Sequence, residues 1–278
     1  MVSIIIPAHN EEAVIGRCLG SLLADADPGE MEIIVVCNGC QDRTADRARD
    51  AADDVVVLET PIASKSNALD LGDRAAHSFP RLFIDADIEL GTADLRQLVA
   101  ALDDGALAAS PTLRLDLADS SLLVRSYHAI WQRLPVIRSG LVGRGVYGVS
   151  EQGRGRFGEF PDVIADDLFV HRLFEPDERV VVEGAVSVVR APRTVSDLLL
   201  RKRRSRAGSR QLESVVGDLA SASDQRSSTD WLEAVRREPR LVVHVPTYVV
   251  ISLIARMQAR RKIRRGDLDT WESDQSSR

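Results

Sequence analysis

The chain has 278 residues, 44% hydrophobic and 28% charged, with a net charge of −6. That balance is ordinary for a soluble globular protein and allows one large α/β domain or two small ones. Three cysteines, at 18, 37 and 40, without disulfide-like spacing or a signal-like N-terminus, exclude a disulfide scaffold and predict a reducing, cytoplasmic setting.

Charge is unevenly placed, with basic residues clustered at 201–210 and 256–265. A basic C-terminal part on an acidic body suggests an anionic ligand or a membrane surface near that end. Cys37-Asn38-Gly39-Cys40 has redox-motif spacing, but zinc would need a second ligand pair that the chain lacks. The plainer expectation is small residues in a tight loop.

In chain order, Ser3–Pro7 is an apolar run stopped by proline and predicts a buried first strand. Asn10 then reads as the N-cap of a helix through Val14, Ile15, Cys18, Leu19 and Leu22. Glu32–Val36 predicts the second strand, Cys37–Asp42 a loop and Thr44–Ala51 a helix. Val55–Leu58, Ser64–Leu71 and Arg81–Ile84 continue as strand, helix and strand. This alternation predicts a mostly parallel sheet covered on both faces. The first turn, Pro-Ala-His-Asn-Glu-Glu, lacks the Gly-x-Gly-x-x-Gly of a dinucleotide-binding dehydrogenase.

The fourth strand runs into Asp85-Ala86-Asp87. If extended, Phe83, Asp85 and Asp87 share one face, with the carboxylates roughly 7 Å apart, a gap that takes a divalent cation. Hard oxygen ligands favour Mg or Mn. The same residues also suit an acidic turn before a helix starting near Thr92.

Ile4–Glu12 resembles the opening of the family 2 glycosyltransferases of the GT-A fold, and Val35–Thr44 is similar to their second-strand loop. Lys65-Ser66-Asn67-Ala68-Leu69 resembles the stretch before their metal motif, and Asp85-Ala86-Asp87 the motif itself. Four motifs in order over about 90 residues carry the resemblance, which extends more loosely to about residue 190. It implies an inverting, metal-dependent transfer of one sugar from a nucleotide-diphosphate sugar, expected to be a UDP-sugar, to a hydroxyl of a sugar, lipid-linked or small-molecule acceptor. The donor pocket would use Pro7, Ala8, Asn10, Glu12 and Asn38, where the family often has an acid. Lys65 would serve the phosphate or base region. Asp87 would hold Mn or Mg, and Asp85 the ribose or the metal shell.

Ser139–Val149 is glycine-rich and resembles the family stretch lining the sugar pocket; a loop with an edge strand is the alternative. Asp166-Asp167 resembles the acidic pair that supplies the general base. Matching the pair chooses Asp167, while counting back from Arg172-Leu173 chooses Asp166. His171, four residues on, reads as a ligand of metal or diphosphate or as a packed side chain.

Two short strands, Arg179–Val182 and Val186–Arg190, are expected to close the domain. Arg201 and Arg204 then begin a basic stretch suited to diphosphate oxygens or to a solvated basic face. The Gln-x-x-Arg-Trp of processive relatives is missing, which favours single-sugar transfer. Gly208–Ser228 reads as a mobile loop. Leu241–Ile254 is apolar but too short to span a bilayer, and with the basic residues to 265 it predicts an anionic membrane surface, a packed segment or a homodimer interface. No nucleic-acid partner is expected.

The expected organisation is a catalytic domain over 1–195, its nucleotide-sugar half about 1–100 and its acceptor half about 101–195, followed by a basic helical extension over 196–278. Two competing readings are a sugar-nucleotide nucleotidyltransferase, which would need a glycine-rich basic loop after the first strand, and a non-catalytic relative, which would have lost Asp87 or the acidic pair.

Overall fold

The computed structural model describes residues 1–216 and 230–264. Two compact units divide the chain, 1–114 with 141–189, and 115–140 with 190–278. The expected division at 195 differs from this one, in which 115–140 groups with the C-terminal helices.

The first unit is built on an eight-stranded sheet ordered β3-β2-β1-β4-β7-β6-β8-β5. Its strands are β1 (Val2–Ala8), β2 (Met31–Asn38), β3 (Val56–Thr60), β4 (Arg81–Ile84), β5 (Glu89–Leu90), β6 (Ala108–Asp116), β7 (Val146–Val149) and β8 (Arg179–Arg190). β1 is parallel to β2 and β4, and β2 to β3, as the strand–helix alternation predicts. β7 lies inside the sheet between β4 and β6, antiparallel to both, so it is not an edge strand. All seven residues of β1 are buried, as expected for a strand covered on both faces.

The helices of this unit are α1 (Ile15–Leu23), α2 (Thr44–Arg49), α3 (Lys65–Ala75) and α4 (Thr92–Asp103), then, after the excursion into the second unit, α7 (Glu151–Arg154) and α8 (Asp166–Arg172). α1 buries Ile15, Cys18, Leu19 and Leu22, the periodic positions of the sequence. α3 is capped by Ser64, whose hydroxyl accepts from the Asn67 N–H. α3 also comes very close to the sheet. A Cβ on Gly72 would lie 2.5 Å from Ile5 Cγ2 and 3.2 Å from Val36 Cγ2. Gly72→Ala is therefore expected to cost about 1–3 kcal/mol through overpacking, despite the better helix propensity of alanine. Urea unfolding tests this, and a midpoint at or above the parent's would mean that the helix shifts freely.

Four local expectations are corrected. Asn10 is not a helix cap: α1 starts at Ile15, and Asn10 has φ of 54°, a left-handed turn conformation that asparagine tolerates. Residues 37 and 38 belong to β2, because the ladder with β1 and β3 continues past Val36. The expected break at 183–185 is absent, since β8 runs through Gly184, whose carbonyl accepts from Gln97 Nε2 at 3.1 Å. Residues 208–216 are helical, while 217–229 of the expected mobile loop lie outside the described residues.

The second unit is helical, with α5 (Leu122–Trp131), α6 (Pro135–Ser139), α9 (Val195–Val216), α10 (Asp230–Arg237), a 3-10 turn (Pro239–His244) and α11 (Val245–Arg264). Its core joins Val124, Tyr127, Leu198 and Ile251 in one cluster and Ile130, Ala234 and Leu241 in another. The 3-10 turn and α11 lengthen the apolar segment beyond the expected 14 residues, so Pro239–Gln258 is long and apolar enough to cross a membrane by length and composition.

Candidate active site

The site lies at the C-terminal ends of β1, β2 and β4, where open α/β sheets bind ligands. The loops after β1 and β2 are tied together by their own polar groups. Asn10 Oδ1 accepts from the Gln41 N–H at 2.8 Å, and Glu12 Oε2 accepts from the Arg43 N–H at 3.1 Å. The Glu12 N–H donates to Asp42 Oδ2, and the Glu11 N–H to Thr44 Oγ1. Cys40 donates through its thiol to the Ala8 carbonyl and accepts from the Asn10 N–H. All three cysteines are free thiols. Asn10 and Glu12, expected at a donor pocket, hold the loop after β1 against the loop after β2. Pro7 and Ala8 are the last residues of β1.

Asn38 ends β2 and is buried. Its amide Nδ2 donates to the Ser64 carbonyl at 2.8 Å, and its backbone carbonyl accepts from His9 Nδ1 at 2.5 Å. The buried Oδ1 has no hydrogen-bond partner among the described residues. A buried orphan acceptor is costly, and a ligand N–H would satisfy it.

β4 stops at Ile84, so Asp85 and Asp87 do not continue an extended strand. The chain turns there, with the Ile88 N–H on the Asp85 carbonyl at 3.1 Å. The shared strand face expected for Phe83, Asp85 and Asp87 is thus corrected, and local alternation does not set the spacing of the two carboxylates. Asp85 is instead fixed from its sides. Its N–H donates to the Gly145 carbonyl at 2.8 Å, and Lys65 Nζ donates to its Oδ1 at 2.6 Å.

Lys65 makes a second ion pair, 2.7 Å to Asp166 Oδ1. The other Asp166 oxygen accepts from the Tyr147 hydroxyl at 3.1 Å. Three segments distant in sequence, the starts of α3 and α8 and the end of β4, thus meet at one ammonium. Burial alone would lower the Lys65 pKa. Asp166 and then Asp85 overcome it and hold the ammonium above its ordinary range. Burial, then the Asp166 charge, keep the Tyr147 phenol protonated, so it stays a donor.

Asp167 sits beside this network, not in it. Its Oδ2 accepts from the Gly143 N–H at 2.8 Å and its Oδ1 from the Leu168 N–H at 2.7 Å. Gly143 has φ of 78° and Gly145 of 65°, left-handed turns that favour glycine. The glycine-rich stretch therefore presents backbone to both acidic motifs, Gly143 to Asp167 and Gly145 to Asp85. Burial, then the charge of Asp166, push the Asp167 carboxyl up to about 6, with the Gly143 hydrogen bond opposing them.

His171 is buried in α8, and its Nδ1 accepts from the Leu141 N–H at 3.2 Å, a packed position. Arg201 and Arg204 lie on α9 of the second unit, and Arg201 Nη1 donates to the Arg190 carbonyl at 3.2 Å. Sequence reasoning missed Tyr147 and the bridging geometry of Lys65. An isolated tyrosine in a short strand carries no signal of its partner, and a lysine at a helix start none of carboxylates 20 and 101 residues away.

The model of glycosyl transferase family 2 matches residues 3–148. The chain belongs to this family. Its fold is the GT-A fold, a mixed α/β sheet with flanking helices and a helical C-terminal region. A mannosyltransferase from Pyrobaculum calidifontis, solved with GDP-Man and Mn2+, superimposes with a TM-score of 0.62 at 19% identity, covering 95% of this glycosyltransferase and 79% of that chain. Glucosyl-3-phosphoglycerate synthase from Mycobacterium tuberculosis, solved with Mn2+, UDP-glucose and phosphoglyceric acid, gives 0.55 at 22% identity over 77% of this chain and 79% of that one. The same synthase with Mg2+ and UDP gives 0.52 at 20% identity over 77% and 78%. At these identities the likeness shows the fold. No curated protein matches the glycosyltransferase by sequence.

Proposed function

We propose that this family 2 glycosyltransferase moves one sugar, with inversion, from a nucleotide-diphosphate sugar to an acceptor hydroxyl, with Asp167 as general base. The observation that carries the reading is the division of the acidic pair. Asp166 spends both oxygens, on Lys65 and Tyr147, and its side chain is only 6% exposed. Asp167 is more exposed, accepts from the backbone N–H groups of Gly143 and Leu168, and has a carboxyl pushed up to about 6. A base poised near neutrality is suited to take a hydroxyl proton.

In the proposed step the acceptor oxygen attacks the anomeric carbon from the face opposite the diphosphate. Its proton passes to Asp167, the bond to the diphosphate oxygen breaks, and the nucleoside diphosphate leaves with that electron pair. The orphan Oδ1 of Asn38 supports a donor base offering an N–H, as uracil does. Pro7, Ala8, Asn10 and Glu12 would frame that end of the pocket. The free thiols suit a cytoplasmic enzyme.

Among the described residues no three His, Cys, Asp or Glu side chains gather into a preformed metal cage. Asp87 is proposed as the principal ligand, with Asp85, one of whose oxygens accepts from Lys65, beside it. This donor set fits Mn or Mg arriving with the diphosphate, since Mg binds through one or two carboxylates plus substrate phosphates and keeps its waters. Bound there, the cation would supply charge neutralisation for the departing diphosphate.

The test is calorimetry with UDP- and GDP-sugars in Mn, Mg and EDTA, on the parent and on Asp87→Ala. The expected result is tighter donor binding with metal in the parent and loss of that gain in Asp87→Ala, the melting temperature being kept. Equal affinity with and without metal in both proteins would remove Asp87 and the cation from the mechanism.

A further inference from the structure

Helix α11 is apolar on the face that packs and apolar on the face that does not. Ile251 and Ala255 are buried, and Ile251 joins Val124, Tyr127 and Leu198 of α5 and α9. On another face Val250, Leu253 and Met257 are exposed by 54%, 50% and 54%. Their spacing of three and four residues makes a single stripe. Val242 and Val243 of the preceding 3-10 turn are exposed by 58% and 69%. The solvent-facing side of a helix in a soluble domain is normally polar, whereas one apolar all round is a core or membrane helix.

Charge specifies what covers this face. From Pro239 to Arg265 there is no Asp or Glu, and every charged side chain is basic, in a chain of net charge −6. Arg256 is exposed at the C-terminal end of the apolar stretch, and four further arginines and a lysine follow in the sequence within residues 260–265, whereas Arg240 at the other end is paired with Glu238 at 2.9 Å. A second copy docking here would set like charge against like. Crossing a bilayer is disfavoured in turn, because Ile251 and Ala255 are committed to the protein and Arg256 would enter the hydrocarbon.

We propose that α11 and the 3-10 turn dock the second unit on an anionic lipid bilayer, the helix lying in the plane of the interface. Val250, Leu253 and Met257 enter the acyl boundary, Arg256 meets the headgroups, and the basic sequence after it adds positive charge. Docking is independent of the transfer chemistry, so it can fail while that reading stands, and the reverse.

The test uses the full chain in vesicle flotation, with about 30% phosphatidylglycerol in phosphatidylcholine against phosphatidylcholine alone. Binding is expected on the anionic vesicles only, falling at least ~10-fold between about 0.1 and 0.5 M salt. The triple variant Val250→Asp, Leu253→Asp, Met257→Asp is expected to keep its circular dichroism, since these side chains are exposed, and to bind at least ~10-fold more weakly. Alkaline carbonate should extract the bound parent. Equal binding to neutral vesicles, full binding by the folded triple variant, or resistance to carbonate each overturns the proposal. A lipid-free dimer in sedimentation that the triple variant disperses also overturns it, by assigning the face to a second copy.

Discussion

Asp167→Asn is expected to lower transfer at least about 100-fold while leaving donor affinity unchanged, because general-base assistance typically supplies ~10²–10⁴-fold and acts only as the new bond forms. Asparagine keeps an oxygen for the Gly143 N–H but cannot take a proton. Asp166→Asn is expected to lose less rate and more stability, since it weakens the pair with Lys65. The pH profile follows from the raised Asp167 carboxyl: kcat/KM of the parent should fall as pH drops through about 6, where the base protonates. The stability sign is the opposite. A carboxyl raised above its usual 3.8 makes its contribution to stability below that value and loses it as pH rises through about 6. Asp167→Asn should therefore melt no lower than the parent at pH 8. Steady-state rates, donor titration and thermal melts of both variants decide the matter. A dead Asp166→Asn beside an active Asp167→Asn would move the base by one residue, and two fully active variants would reduce the pair to a helix start.

Lys65→Met is expected to destabilise the protein by roughly 3–5 kcal/mol, the usual cost of removing one partner from a buried pair. The side chains of Lys65 and Asp166 are 17% and 6% exposed. Without the ammonium, Asp166 keeps the Tyr147 hydroxyl and stands beside the like charge of Asp167 in a buried place. Asp85 is 41% exposed, so water replaces much of that second pair. The loss should thus come mainly from Asp166, and Lys65→Met with Asp166→Asn should recover a large part of it. Denaturant unfolding of the two proteins measures this. A single variant as stable as the parent, or a double variant no better than the single, would show that the Asp166 charge is not what Lys65 holds in place.

The strands and helices of the first 90 residues were legible in the sequence because burial on both faces leaves a local mark, short apolar runs separated by amphipathic ones. The sequence also places the two acidic motifs at a strand end and a helix start, and the structure has them there. What sequence could not reach is relative placement. Asp166 and Asp167 are equivalent as letters, but consecutive helix positions are turned by about 100°, so only one can meet Lys65 and Tyr147. Which one does depends on how α8 is set against α3 and β7, through contacts 19 and 101 residues apart. Asp85 and Asp87 likewise looked like neighbours on a strand. The turn at Asp85, set by Gly145 on a segment 60 residues later, removes that alternation. Local periodicity determined the elements, and tertiary packing alone decided which carboxylate pairs with Lys65 and Tyr147 and which takes the Gly143 N–H, because a side chain's partner comes from the fold around it.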